Sequence, residues 1–578
     1  MKLVRRVLLK TKVISIIAIV LLSLPTLVNA QKSSVPLPSV PQLRWQNYEQ
    51  SMFIHYNPTT WTNREYDDLS LPLSRMNPDK LNTDQWCQAA KSWGAKLIVF
   101  VAKHTGGFCW WQTKTTEYGV SHIPWMNGKG DVLRMLSESC KKYGLDLGVY
   151  IYPGDEKWGA GIGSGGKTKD PAKQEAYNQV FRQQLTEVLS QYGQMREVWF
   201  DGSCIIDVSD ILKKYASDAV VFQGPQATIR WVGNESGIAP YPNWYTLKKA
   251  DLATGISTAL HSDPTGDAYA PVEIDLPLLA NNGHKWFWAP GTDKFILTQE
   301  QLIDVYYRTV GRGAVMLLNS TPDTTGLIPE SHLKAYKGLG DEIQRRFGSP
   351  IKTISGKGSE LIMDFGKSLL VNHAVIQEDL AFGQRIRKYS IEGLENGKWV
   401  LMSEGSSVGQ KRIDPFEGKT ITKMRLTVTE SAAEPVIKTF SAFFIEGYQQ
   451  KAGVADAAKN TTTIGSWNRE TFSDDWKEFR LDLTPYIKFI GQYTLSFEMV
   501  SYDWSKDWGL EFKDWQVEMY GKNLPQAIEK IKDGWAFRLT RSQQTDKADD
   551  FPTIFKVLVR TKPGQTMGNI TLKRVVYE

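Results

Sequence analysis

Polar side chains that could do chemistry stand at the ends of several short apolar runs in this 578-residue sequence. His55, His104, Tyr152 and Asp201 each follow such a run, although the whole chain has only seven histidines. In a barrel of alternating strands and helices, reactive groups lie where strands end and loops begin. These four residues therefore predict one polar pocket.

Asp201 is the strongest candidate for a reactive carboxylate. It precedes Gly202, whose missing side chain lets a ligand or another backbone segment approach closely. A helix cap or a buried ion pair is the structural alternative for such an aspartate. Cleavage of a glycosidic bond needs a second carboxyl group, because one group attacks the sugar or activates water and the other protonates the leaving oxygen. Glu235, in a glycine-punctuated loop, and Glu273 are the two candidates.

The elements that must position these groups alternate between strand and helix from about Met52 to Leu318. The predicted strands are continuous apolar runs, as in strands covered on both faces. They lie at 52–54, 97–101, 147–151, 198–200, 219–222 and 314–318, and predicted helices lie at 83–93, 131–143 and 181–192. We therefore predict a (β/α)8-like (TIM-type) barrel over 31–349. A doubly wound open sheet is the alternative, but no glycine-rich nucleotide motif follows a strand.

Alternating short strands and turns replace this pattern after residue 350. Such alternation is typical of antiparallel sheets with one buried face. We predict a β-sandwich at 350–448, a polar linker at 449–463 and a second β-rich domain at 464–578. The fold class is thus α/β, with a barrel followed by two all-β domains.

The first thirty residues have the pattern of a signal peptide rather than of a fold. Five basic residues and the apolar run Val13–Leu22 precede a small-residue cleavage site at Val28-Asn29-Ala30. Cleavage would leave 64 of the 69 Lys and Arg residues against 63 Asp and Glu. The mature chain is then nearly neutral, which favours no nucleic-acid partner. We expect export to the periplasm or beyond, with no integral membrane segment after cleavage.

Four cysteines lie in the first half of the chain, at positions 87, 109, 140 and 204. Export permits disulfide bonds, but four cysteines allow three full pairings and none follows from the sequence. Buried free thiols are an equal alternative. Their spacing is not that of a metal site, and hydrolysis by two carboxyl groups and water implies no cofactor or metal.

Several of these segments resemble the family 29 α-L-fucosidases in order and spacing. The matching segments are Phe53-Ile54-His55-Tyr56, Ala102-Lys103-His104, Gly107-Phe108-Cys109-Trp110, Glu197-Val198-Trp199-Phe200-Asp201-Gly202, the Arg230 to Glu235 loop and Leu317-Leu318-Asn319. The resemblance continues to about Glu446. There the chain is similar to that family's C-terminal discoidin-like β-sandwich, particularly in the α-1,3/1,4-specific branch.

The resemblance implies a retaining exo-α-L-fucosidase that acts on a fucosylated oligosaccharide or glycoconjugate. Asp201 would form a fucosyl-enzyme that water hydrolyses, with Glu235 as acid/base and Glu273 as the alternative. The expected substrate-binding residues are His55, His104, Trp61, Trp110, Tyr152, Trp199, Arg230 and Trp286, with a place in the core as an equal alternative for Trp61, Trp110 and Trp286.

One departure from the family pattern concerns the expected sugar pocket. The family usually has His-His-Asp-Gly where this chain has His104-Thr105-Gly106-Gly107, and Asn57 replaces a common glycine. A lost hydroxyl partner can change specificity by orders of magnitude. A galactose-configured or other L-sugar is therefore an alternative glycone, and a carbohydrate-binding protein without turnover is the alternative function.

Overall fold

The computed structural model describes most of the chain between Val35 and Tyr448 and a set of strands beyond it. The described ranges are 35–231, 235–252, 262–448, 462–467, 472–484, 491–500, 510–519, 522–525, 529–531, 534–541, 553–561 and 569–576. The predicted signal peptide and residues 449–461 of the predicted linker lie outside them. Within these ranges, no helix is both long and apolar enough to cross a membrane.

Eight parallel strands form a nearly closed barrel in the first part of the chain, which confirms the predicted fold class. The strands of this part are β1 (Gln50–Ile54), β2 (Leu97–Lys103), β3 (Asp146–Ile151), β4 (Met195–Trp199), β5 (Val220–Phe222), β6 (Arg230–Trp231), β7 (Thr246–Leu247), β8 (Ala268–Tyr269), β9 (Val272–Leu276) and β10 (Val315–Ser320). The barrel order is β5-β4-β3-β2-β1-β10-β9-β6, and β7 and β8 form a separate ribbon. A parallel bridge between Phe222 and Ile229 connects the two end strands.

Helices alternate with these strands, and each helix of ten or more residues buries an apolar face. They are α1 (Val40–Gln46), α2 (Thr83–Ser92), α3 (Val132–Tyr143), α4 (Gln174–Gln191), α5 (Ser209–Tyr215), α6 (Lys249–Leu252), α7 (Gln299–Arg308) and α8 (Glu330–Phe347). The side chain of Asp131 caps α3 by accepting a hydrogen bond from the Arg134 amide, as its acidic N-terminus predicts. Gly144 ends that helix with a φ of 68°, a conformation that favours glycine.

Six antiparallel strands follow the barrel. They are β11 (Lys352–Lys357), β12 (Glu360–Glu378), β13 (Ile386–Glu395), β14 (Lys398–Gly405), β15 (Arg412–Ser431) and β16 (Val436–Phe443), in the order β11-β16-β12-β15-β13-β14. The long strands β12 and β15 change register between Asp364 and Leu369. The inner face of this six-stranded sheet buries an apolar cluster that is separate from the barrel core and includes Ile391, Leu426 and Phe440.

The described residues after Tyr448 form two further antiparallel sheets. Their strands are β17 (Thr462–Trp467), β18 (Lys477–Asp482), β19 (Gly491–Val500), β20 (Leu510–Met519), β21 (Lys522–Pro525), β22 (Glu529–Ile531), β23 (Gly534–Arg541), β24 (Ile554–Thr561) and β25 (Asn569–Val576). One sheet has the order β17-β25-β19-β23-β22 and the other β18-β24-β20-β21. The first of these strands begins at Thr462, two residues before the predicted domain boundary at 464.

All four cysteines are buried free thiols. The sulfurs of Cys87 and Cys140 lie 3.9 Å apart, almost twice the length of a disulfide bond. Of the two alternatives that the sequence left open, disulfide bonds or buried free thiols, the structure has the free thiols.

Candidate active site

A cavity of about 610 Å³ opens at the carboxyl ends of the barrel strands. Six of the residues predicted from the sequence line it together: His55, His104, Trp199, Asp201, Glu235 and Trp286. The other lining residues are Phe53, Glu65, Tyr66, Tyr150, Gly202, Phe222, Gln223, Trp231, Asp275, His284 and Phe287. Strand ends and the loops that follow them thus meet in one pocket.

Asp201 lies just beyond β4, with its carboxylate turned towards Tyr150. The Tyr150 hydroxyl donates a hydrogen bond to Asp201 Oδ2 at 3.0 Å. Burial raises the pKa of Asp201 to about 6, the hydrogen bond from Tyr150 lowers it, and the charge of Glu235 raises it. The carboxylate is therefore mostly ionised at neutral pH, as a nucleophile must be.

Glu235 reaches the same cavity from the loop after β6. Its Oε2 accepts a hydrogen bond from the indole N–H of Trp286 at 3.2 Å and lies 2.9 Å from His284 Nε2. The side chain of Glu235 is partly exposed, with 28% of its surface accessible to solvent. Residues 232–234 of its loop lie outside the described ranges. A partly solvated carboxyl of this kind can exchange protons with water and with a leaving group.

Glu273, the alternative acid/base, is fully buried inside the barrel and does not line the cavity. Its Oε2 accepts a hydrogen bond from the Trp199 indole at 2.7 Å, while Glu197 Oε2 accepts one from Trp45 at 2.8 Å. Glu273 and Glu197 lie close enough to interact, and burial raises the pKa of both, that of Glu197 to about 7. Two carboxylates in contact cannot both be charged cheaply, so the pair holds a proton.

Asp275 is a further cavity carboxyl that the sequence prediction did not assign to the site. It lies two residues beyond Glu273 on β9, so both side chains point to the barrel interior and Asp275 is nearer the open end. Its Oδ1 accepts a hydrogen bond from the Trp231 indole at 2.6 Å. Burial, followed by the charge of Glu235, raises its pKa well above the usual range.

His55 and His104 stand side by side in the cavity wall, with ring centroids 5.8 Å apart. Burial lowers the pKa of His104 to about 3 and that of His55 well below its usual range. Both rings are therefore neutral. Asn319 Oδ1 lies 2.7 Å from His55 Nδ1, and because an amide oxygen only accepts, Nδ1 carries the proton. His55 Nε2 is left as an acceptor, which suits a sugar hydroxyl.

Aromatic rings form the remaining walls of the cavity. Trp199 stacks on Phe222 with ring centroids 3.6 Å apart, and Phe53 packs against its edge at 5.0 Å. Trp286 packs against His55 at 4.9 Å. Such flat apolar surfaces match the apolar face of a sugar ring.

Four residues predicted to bind substrate do not line this cavity. Trp110 is fully buried and stacks on Tyr56, and the hydroxyl of Tyr152 accepts a hydrogen bond from the Gly163 amide. Arg230 is 1% exposed, and its guanidinium donates to the Ala270 and Trp244 carbonyls. Trp61 lines a separate cavity. Position in the sequence predicted the neighbourhood of these four residues, but not the direction in which their side chains turn.

The three departures from the family pattern also lie outside the cavity lining. Thr105 is 2% exposed, and the side chain of Asn57 caps a short helical turn by accepting from the Thr59 amide. A Cβ at Gly106 would fall 2.1 Å from an oxygen of Asp67, so the Asp67 carboxylate fills the space of a side chain at 106. None of these three positions lines the cavity, and their effect on the choice of sugar stays a prediction.

Two residues of the cavity that the sequence analysis missed, Asp275 and Tyr66, carried little or no signal in the sequence. Asp275 stands near the end of β9, but this strand alternates acidic and apolar residues and lacks the continuous apolar run of the others. Tyr66 lies in a loop twelve residues beyond β1, where no pattern places a side chain. Among the described residues, no cluster of three or more His, Cys, Asp or Glu side chains has the arrangement of a metal site.

Comparison with known proteins gives one consistent family. The sequence model of the α-L-fucosidase family matches residues 38–346. Alpha-L-fucosidase 1 of Arabidopsis thaliana is 28% identical over 481 residues, which cover 74% of this chain and 90% of that protein.

Two solved structures are similar to this chain over long stretches. A putative α-L-fucosidase of Bacteroides thetaiotaomicron is 37% identical with a TM-score of 0.68, covering 71% of this chain and 100% of that one. A glycoside hydrolase 29 family member from an unknown rumen bacterium is 26% identical with a TM-score of 0.65, covering 93% and 96%.

Proposed function

The chain belongs to the α-L-fucosidase family, and on this premise we propose how its cavity hydrolyses a terminal α-L-fucoside. Asp201 is the nucleophile and Glu235 the acid/base of a double displacement that retains the anomeric configuration. One observation carries this assignment. Both carboxyl groups line a single cavity at the carboxyl ends of the strands, and Glu273 does not.

In the first step the Asp201 carboxylate attacks the anomeric carbon as the bond to the leaving oxygen breaks. Glu235 donates its proton to that oxygen, so the aglycone leaves as an alcohol and a fucosyl-enzyme ester remains. The neutral rings of His55 and His104 are placed to exchange hydrogen bonds with the fucose hydroxyls. Trp199 offers an apolar wall for the ring or its methyl group.

In the second step Glu235, now a carboxylate, takes a proton from water, and the water oxygen attacks the anomeric carbon. The ester bond to Asp201 breaks, which releases fucose and restores both carboxyl groups. The charge of Asp201 in the first step, and that of Glu235 in the second, favours the positive charge that develops on the sugar in the transition states.

Replacement of the nucleophile tests the first assignment. Asp201→Ala should lower kcat/KM for an aryl α-L-fucoside by more than about a thousandfold, whereas Asp207→Ala, an exposed aspartate six residues on, should not. A 2-deoxy-2-fluoro-fucosyl fluoride should label the wild-type chain at Asp201, as mapped by peptide mass spectrometry. A label on another carboxyl group would exclude Asp201 as nucleophile.

The acid/base assignment is tested by chemical rescue. Glu235→Ala should cleave an aryl fucoside with a good leaving group and be accelerated by azide, with α-L-fucosyl azide as the product. Glu273→Ala, the matched variant, should show no azide effect, because the buried pair has no contact with the substrate. Rescue of Glu273→Ala in place of Glu235→Ala would reverse the assignment.

The linkage preference is a finer proposal that the family branch suggests. The resemblance of the first β-domain to the α-1,3/1,4-specific branch supports action on fucose linked at position 3 or 4 of the next sugar. Trisaccharides that differ only in an α-1,2, α-1,3, α-1,4 or α-1,6 fucosyl bond should separate these cases. Faster release from the α-1,2 or α-1,6 isomers would exclude this branch assignment.

Export is proposed from the first thirty residues alone. Their basic start, apolar run and Val28-Asn29-Ala30 site support cleavage before Gln31. The N-terminal sequence of the protein recovered from the periplasm or the medium should begin at Gln31. Recovery of the intact leader in the cytoplasm would contradict export.

A further inference from the structure

A second cavity of about 660 Å³ lies on the same face of the barrel as the catalytic one. The loops that line it follow β1, β9 and β10, and none of its lining residues lines the catalytic cavity. Two tryptophans face it: Trp61, at the end of a short helical turn after β1, and Trp288, in the loop after β9. Both are partly exposed.

The lining of this cavity has the chemistry of a saccharide site. Polar side chains surround the two indoles, among them Asn63, Arg75 and Asp79. Threonines from two loops complete the wall. Tryptophan faces pack against the apolar faces of sugar rings, while amide, guanidinium and carboxylate groups bond hydroxyls. With one positive and one negative charge, the site matches a neutral sugar rather than an anion.

Two chain segments run from one cavity to the other. Asn63 lines the second cavity and Glu65 the catalytic one. Likewise, Trp288 lines the second cavity and Trp286 the catalytic one. Two residues of chain span at most about 7 Å. The walls of the two cavities are therefore close enough for sugars of one short oligosaccharide to occupy both.

We propose that the cavity between Trp61 and Trp288 binds a sugar residue of the glycan that carries the fucose, beyond the bond that is cleaved. This inference rests on the proposed function, because the fucose itself must occupy the cavity of Asp201. The substrate is then an oligosaccharide, and its affinity depends on a contact remote from the reacting carbon. Such remote binding favours extended glycans over simple fucosides.

The test compares two substrates in three variants. An aryl α-L-fucoside has no sugar beyond fucose, whereas an α-1,3-fucosylated pentasaccharide does. In Trp61→Ala and Trp288→Ala, the ratio of kcat/KM for the pentasaccharide to that for the aryl fucoside should fall about tenfold, through KM. Trp399→Ala, a partly exposed tryptophan of β14, is the matched control and should leave the ratio unchanged.

A binding measurement keeps the inference separate from the catalytic proposal. Titration calorimetry with N-acetyllactosamine, a disaccharide without fucose, should show binding to the wild-type chain that weakens about tenfold in Trp288→Ala. Arg75→Ala is a second variant for the same titration, and it keeps both tryptophan rings of the cavity. An unchanged ratio together with unchanged disaccharide binding would overturn the inference, even in an active fucosidase. Loss of activity in Asp207→Ala but not Asp201→Ala would instead overturn the nucleophile assignment.

Discussion

The hydroxyl of Tyr150 donates to Asp201 at 3.0 Å, and this contact bears on the pH at which the proposed nucleophile is charged. Activity should fall as the pH drops through about 6, because Asp201 is then protonated. Tyr150→Phe removes the donor, which raises the pKa of Asp201 and moves the acidic limb of kcat/KM to higher pH. A pH profile with an aryl α-L-fucoside from pH 4 to 8 measures the shift.

Tyr152→Phe is the control for that profile. Its ring lies parallel to that of Tyr150, but its hydroxyl accepts from the Gly163 amide and does not line the cavity. The acidic limb should therefore stay near pH 6 in Tyr152→Phe. If the limb were the same in both variants, the Tyr150 hydroxyl would not set the ionisation of Asp201.

The buried pair of Glu197 and Glu273 should make stability depend on pH. An acid whose pKa is raised by folding binds more protons in the folded state between the two pKa values, so stability falls as pH rises through that window. For Glu197 the window runs from 4.5 to about 7. Glu197→Gln cannot ionise, so its free energy of unfolding relative to wild type should rise from pH 5 to pH 7.5, by at most about 1.4 kcal/mol per pH unit.

Denaturant unfolding of both proteins at the two pH values measures that difference. The neutral histidines His55 and His104 have the opposite pH dependence, but they are common to both proteins and cancel. Glu175→Gln, at an exposed glutamate of α4, is the control. Its free energy of unfolding relative to wild type should be the same at both pH values. A constant difference for Glu197→Gln would mean that folding does not raise the pKa of Glu197.

The site was predictable where a residue directly follows a recognisable strand. His55, His104 and Asp201 meet this condition and line the cavity, whereas Tyr152, which also follows a strand, does not. Trp110 and Arg230 were assigned from motif matching, yet their side chains turn into the protein, where they bond backbone carbonyls. The direction of a side chain depends on neighbours distant in the sequence, which one sequence does not specify.

At the scale of elements, β9 shows why one strand of the barrel was missed. Its sequence Val-Glu-Ile-Asp-Leu alternates acidic and apolar residues, whereas the recognised strands are continuous apolar runs. The inward positions, Glu273 and Asp275, are acidic because the barrel interior here is polar. Both residues lie on the inward face, and their spacing of two residues along the strand leaves Glu273 buried and brings Asp275 to the cavity.

The first β-domain packs against the segment that follows the Glu235 loop. Gln384 is 1% exposed; its amide oxygen accepts from the Tyr245 amide at 2.9 Å and its nitrogen donates to the Asn243 carbonyl at 3.0 Å. The Tyr245 hydroxyl accepts from the Gln410 amide at 2.9 Å. These bonds join the β-domain to the barrel connection between β6 and β9.

Gln384→Ala should therefore destabilise the protein. It leaves two buried backbone groups without partners, at a cost of about 1–3 kcal/mol in the free energy of unfolding. Denaturant unfolding followed by tryptophan fluorescence measures the change. Gln183→Ala, an exposed glutamine of α4, should change it by less than about 0.5 kcal/mol. Equal effects of the two variants would show that Gln384 does not anchor the β-domain.

At the scale of the whole molecule, the described sheets follow the predicted order of one barrel and two β-rich parts. The described residues from Pro36 onward form one compact unit. The Bacteroides relative covers 71% of the chain and the rumen relative 93%, so similarity within the family extends well beyond the barrel. Composition and periodicity predicted this order, since each class of element repeats its own pattern many times along the chain.

The absence of disulfide bonds among the four cysteines makes a prediction about the intact protein. All four thiols are buried, so Ellman's reagent should react with none in the native protein and with four after denaturation. Reductant should leave the melting temperature unchanged, because no cross-link restricts the unfolded chain. A melting temperature that falls in dithiothreitol would contradict the reduced state of Cys87 and Cys140.

The carboxyl groups of the catalytic cavity also determine which inhibitors suit it. Asp201, Glu235 and Asp275 line it, and no lysine or arginine is among its described lining residues. A sugar mimic with a basic ring nitrogen carries a positive charge at the position where the substrate becomes positively charged only in the transition state. We therefore expect an iminosugar to bind in this cavity, with an affinity that increases as Asp201 ionises near pH 6 and declines once the inhibitor's own amine loses its proton.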